Sequence, residues 1–75
     1  MKVIIEDKLY DTEKSELIYT DKFRMRRYYM TPHRNFFVVY GNGKAASKTE
    51  DDIKLLLGEN DVNKYLELFE APEEA

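Results

Sequence analysis

Residues 23–44 read FRMRRYYMTPHRNFFVVYGNGK, and this stretch decides the fold. Pro32 has no N–H to give to a strand ladder and suits a turn, so residues 32–35 are expected to reverse the chain. Before the turn, residues 23–31 read as a strand whose side chains alternate between two faces. Phe23, Met25, Arg27 and Tyr29 fall on one face, and Arg24, Arg26, Tyr28 and Met30 on the other. After it, residues 36–40 (FFVVY) are apolar on both faces, the pattern of a strand covered on both sides. Gly41 and Gly43 allow positive φ and end that strand.

Working outward, Val3, Ile4 and Ile5 are β-branched and begin a first strand. Glu6-Asp7 is a turn and residues 8–10 return from it. Asp11 and Thr12 can accept from following N–H groups, which predicts one helical turn over residues 13–15. Residues 17–20 are β-prone, and Asp21-Lys22 is a second turn. Past residue 48 the period changes. Thr49 is an N-cap with Asp52 three residues on, and Ile53, Leu56 and Leu57 lie at helical spacing, with Gly58 as the stop. A second helix after Asn60 or Asp61 carries the stripe Val62, Tyr65, Leu66 and Phe69, and Pro72 ends it. The expected architecture is a single α+β domain. Residues 1–48 make a three- or four-stranded antiparallel sheet, residues 49–71 a helix pair on one face, and residues 72–75 a frayed tail. A helix pair covers one sheet face only, yet strand 36–40 is apolar on both.

A chain of 75 residues buries only about 60% of its unfolded surface, so its stability margin is thin. It has no cysteine, hence no disulfide and no Cys-containing zinc site, which fits a reducing, cytoplasmic setting. No apolar run suits a signal peptide or approaches the ~18 residues of a membrane span. The net charge of −3 is segregated: −3 over residues 1–21, +7 over 22–48 and −7 over 49–75. An acidic whole argues against direct nucleic-acid binding, because a polyanion is repelled at long range.

Catalytic candidates are few. His33 is the lone histidine and sits in a turn with no motif placing a nucleophile or carboxylate beside it. Gly41-Asn42-Gly43-Lys44 lacks the spacing of a phosphate loop, and Ala45 stands where Ser or Thr would follow the lysine. No calcium-loop pattern is present. The reading is a non-enzyme with no cofactor and no metal.

Lys8, residues 10–13 (YDTE), Glu16 and Ile18 begin a longer pattern. It continues through Thr31, Asn35, Phe36, Phe37, Gly41, Gly43, Ala45, Ser47 and Lys48, then Thr49-Glu50. In this order they resemble a group of small, mostly uncharacterised proteins of phages, mobile elements and chromosomes of low-GC bacteria. That group runs K-x-YDTE-x-AE-x-I, YRT-x-x-G-N-[WF]-FL, GEGG-A-x-SK and an acidic helix pair. The chain departs from it at Arg34, where the group has Gly, at Lys44, which replaces the last Gly of GEGG, and in a shortened loop at Asp21-Lys22. The Arg34 departure predicts either a different hairpin turn or an arginine held in strain. The resemblance implies no chemistry. It implies a phage or mobile-element setting in a bacterial host, where small acidic proteins often inhibit host defence by binding it.

Two binding surfaces follow. If Thr31 pairs with Phe36, then Phe37 and Val39 join Arg24, Arg26, Tyr28 and Met30 on the sheet face away from the helices, as an apolar-aromatic patch rimmed by arginine. The second surface is acidic: Glu50, Asp51, Asp52, Glu59, Asp61, Glu67 and Glu70 can imitate nucleic-acid phosphates toward a basic protein. The leading expectation is an anti-CRISPR-like inhibitor that binds a host or phage protein, such as a nucleic-acid-binding defence complex. The alternatives are a sheet that stacks bases on Tyr28 beside Arg24 and Arg26, and an oligomerisation module whose patch is covered by the N-terminal strand or by a second copy in a homodimer.

Overall fold

Short-range chemistry sets each reversal of the chain. The computed structural model describes residues 1–75. Strands β1 (Lys2–Ile5) and β2 (Lys8–Asp11) pair antiparallel. They are joined through Glu6 and Asp7 at φ 50° and 65°, the positive pair that a two-residue I′ turn requires. Asp11 then caps a 3-10 turn, Thr12–Lys14, with its side chain accepting the Glu13 N–H at 3.0 Å. Four further strands form an antiparallel meander: β3 (Glu16–Asp21), β4 (Arg26–Met30), β5 (Phe36–Tyr40) and β6 (Ala45–Lys48). Helices α1 (Glu50–Asn60) and α2 (Val62–Leu68) close the fold. The architecture is the expected α+β one; β6 is additional, and the expected β1 and β2 form a ribbon separate from the main sheet.

The β4–β5 and β5–β6 connections are two copies of one device. In each, a three-residue loop makes a turn followed by a residue at positive φ. Thr31 N–H donates to Asn35 O (2.8 Å) and Arg34 N–H to Thr31 O (2.9 Å), with Arg34 at φ 60°. Tyr40 N–H donates to Lys44 O (2.8 Å) and Gly43 N–H to Tyr40 O (2.9 Å), with Gly43 at φ 85°. Arginine therefore occupies the left-handed position that glycine fills in the sister loop. Of the two outcomes open at Arg34, the structure has the left-handed arginine, and its guanidinium Nη2 donates to Leu68 O at 2.8 Å, the end of α2.

The first of these loops fixes the register and corrects the facing derived from the sequence. Thr31 is engaged in closing the loop, so Met30, not Thr31, pairs with Phe36. A one-residue slip moves a whole strand's side chains to the opposite face. Tyr28 consequently stands opposite Val38, and Met30 opposite Phe36. That face is the helix side: Ile18, Tyr28, Phe36, Val38, Ile53, Leu57 and Phe69 form the core, with Met30 packed on it. A bulge between Leu17 and Tyr19 turns both Ile18 and Tyr19 toward this core. The opposite face, through Phe37, is covered by the N-terminal ribbon. Tyr10 meets the Phe37 ring at 5.0 Å and Tyr29 stacks on it at 5.2 Å, leaving Phe37 with no exposed surface. The ribbon thus accounts for the double-sided apolarity of β5.

Three further expectations change. The strand expected from residue 23 starts at Arg26, because residues 22–25 are a loop. Asp21 Oδ1 accepts the Arg24 N–H at 3.1 Å there, and Met25 sits at φ 56°. Helix α1 passes through Gly58 to Asn60, since Asp61 ends one helix and begins the next. Its N–H donates to Leu57 O, and its Oδ1 accepts the Lys64 N–H at 3.2 Å. In α2 the buried side rotates. Val62 and Leu66 are exposed, while Tyr65, Leu68 and Phe69 pack on the core and Lys64 reaches Glu16 of β3.

Candidate protein-binding surface

The arginine-rimmed patch expected from the sequence does not exist as one surface. Tyr28 is buried under the helices and Met30 packs on the same core. Phe37 and Val39 lie on the opposite face, Phe37 fully buried and Val39 half-buried. Arg26 lies over the Tyr40 ring at 5.3 Å, and Arg24 is in the 22–25 loop. Base stacking on Tyr28 is closed off by the same packing.

The acidic residues divide by their work. Thr49 and Asp52 make a reciprocal capping box: Asp52 N–H donates to Thr49 Oγ1 (3.1 Å), and Asp52 Oδ2 accepts the Thr49 N–H (3.0 Å). The hydrogen bonds from Thr49 hold the Asp52 carboxyl below its ordinary value of 3.8. Asp61 caps α2. Glu50 pairs with Lys54 at 3.7 Å and Glu67 with Lys64 at 3.1 Å. The bond to Glu16 raises the Lys64 ammonium above 10.5. Asp51, Glu59 and Glu70 are exposed and in no ion pair.

What the fold leaves uncovered is a different site, in which exposed apolar side chains stand among polar and charged ones. Phe23, at the tip of the 22–25 loop, is 96% exposed, and Met25 and Leu55 are each about two-thirds exposed. The loop and the outer side of α1 form a groove of about 440 Å³ lined by Phe23, Arg24, Leu55, Leu56 and Glu59, with Tyr28 at its floor. The Asp21 hydrogen bond holds the loop, so Phe23 is presented on a constrained turn. Leu55 is outward because α1 carries three successive leucines, and one helical stripe cannot bury all of them. That run of leucines was the available signal in the sequence. Phe23 gives none, because strand alternation over residues 23–31 places it inside the expected strand.

No group of three or more His, Asp or Glu side chains is placed to hold a metal ion. His33 is exposed on the 31–35 loop, as expected. No helix is long and apolar enough to cross a membrane. Comparison with protein-family models, with curated proteins and with solved structures finds no match to the chain.

Proposed function

We propose that this chain is a non-enzymatic binding module that docks onto another protein through Phe23 and the adjoining side of α1. The observation behind this reading is Phe23: a large apolar ring held in full solvent exposure, with Leu55 and an unpaired arginine beside it. Aromatic and arginine side chains of this kind anchor interfaces. The carboxylates that line the groove, Asp21, Asp52 and Glu59, favour a partner with a basic surface, and proteins that handle nucleic acid have one. With the resemblance to phage and mobile-element proteins, the role we propose is interference with a host nucleic-acid-binding defence complex in the bacterial cytoplasm.

The test is a defence-interference assay in the bacterial host, paired with binding measurements on the purified target complex. Phe23→Ala should weaken binding by about thirtyfold, the equivalent of ~2 kcal/mol, and leave the fold intact. Glu59→Lys should slow association and reduce its salt dependence. Full activity in both variants, correctly folded, would refute the site. A Phe23-dependent dimer with no activity toward any complex would replace the inhibitor reading with self-association.

A further inference from the structure

The two glycines that follow β5 answer different needs. Gly43 sits at φ 85° with nothing near the place of a side chain, so its need is backbone freedom. Gly41 does not occupy the left-handed region, and its need is space. A Cβ on Gly41 would stand 3.1 Å from Met25 Cβ and 3.3 Å from Met25 Cε. Carbon atoms in good contact keep about 3.5–4.0 Å apart. Met25 comes this close because it lies opposite Gly41, one step past the Arg26–Tyr40 pair of the β4–β5 ladder.

Met25 bears a side chain at φ 56°, a conformation that persists only where the surroundings over-determine it. It is about two-thirds exposed, so burial in the core does not hold it. Its Cβ and Cε rest on Gly41 instead. The two sides of this contact are unequally fastened. Three hydrogen bonds close the 41–44 turn: Tyr40 N–H to Lys44 O (2.8 Å), Gly43 N–H to Tyr40 O (2.9 Å) and Lys44 N–H to Asn42 Oδ1 (3.0 Å). The 22–25 loop has one, from Arg24 N–H to Asp21 Oδ1 at 3.1 Å. A side chain at position 41 would therefore displace the loop and not the turn, and Phe23 is two residues from the point of contact.

We propose that Gly41 is a positioning residue for the Phe23 surface: the space left by its missing side chain seats Met25, and that seat fixes the loop that presents Phe23. The inference rests on the docking role proposed for Phe23. A loop ordered before its partner arrives spares the complex the cost of ordering it.

Gly41→Ala, Met25→Gly and the double variant form a cycle that tests this in the full chain. The readouts are amide shifts and nitrogen-15 relaxation of residues 22–25, and potency in the defence-interference assay. In Gly41→Ala these amides should shift and lose order on the ps–ns timescale, and potency should fall by about tenfold. Met25→Gly removes both crowding atoms at a φ that suits glycine. Adding Gly41→Ala to it should then leave the loop where Met25→Gly puts it and change potency by less than about twofold. Gly43→Ala, strained at its own φ, should disturb residues 41–44 and leave residues 22–25 in place. An undisturbed 22–25 loop in Gly41→Ala, or an equal effect of Gly41→Ala with and without the Met25 side chain, would overturn the proposal. Potency lost in Phe23→Ala but kept in Gly41→Ala would refute the positioning role alone. Full potency in Phe23→Ala would refute the docking surface and, with it, the role of Gly41 there.

Discussion

Replacing Phe37 with Ala tests whether the N-terminal ribbon is part of the core. Phe37 has no exposed surface and contacts Tyr10 at 5.0 Å on one side and Tyr29 at 5.2 Å on the other. Truncating a buried Phe costs about 3–5 kcal/mol, and each aromatic pair adds about 0.5–1.5 kcal/mol beyond its area, which points to the upper end. At ~0.05–0.15 kcal/mol per residue, the whole domain is worth roughly 4–11 kcal/mol, so Phe37→Ala should leave it marginal or unfolded. The readout is chemical denaturation followed by circular dichroism. Phe37→Leu keeps most of the volume and should cost under about 1.5 kcal/mol, giving a folded variant for hydrogen exchange. In that variant the amides of β1 and β2 should lose protection before those of α1. A Phe37→Ala loss below about 1 kcal/mol, or ribbon protection untouched in Phe37→Leu, would refute the two-sided core.

Arg34→Gly sets two effects against each other. Glycine relieves the left-handed backbone by about 1 kcal/mol, while the guanidinium bond to Leu68 O and its place over the Phe69 ring at 5.7 Å are lost. Global stability should therefore stay within about 1 kcal/mol of the parent while the amides of residues 65–69 exchange faster; unchanged protection there would remove Arg34 from the end of α2. In pH titrations of the melting midpoint, Lys64 contributes fully below 10.5, and its contribution is lost as pH rises through its raised folded value. Lys64→Met should flatten that alkaline limb. Asp52 has the opposite sign: its contribution is present above 3.8 and is lost as pH falls through the lowered folded value, so Asp52→Asn should flatten the acid limb.

The sequence by itself determined whatever depends on a few neighbouring residues. The Pro32 turn, the Glu6-Asp7 reversal, the Thr49–Asp52 capping box and the antiparallel strands followed by two helices rest on local dihedral and hydrogen-bond preferences. The double-sided apolarity of residues 36–40 also reported correctly that both faces are covered. Tertiary structure alone decided which residues share a face and what covers each one. A strand's two faces exchange with a one-residue change of register, and that register hung on whether Thr31 closed the loop or joined the ladder. Closing the loop carried Tyr28 and Met30 into the core, and the start of β4 at Arg26 released Phe23 to solvent. The ribbon folds back over β5 for a like reason: burial of Phe37 and Tyr10 is a long-range contact that no local pattern encodes.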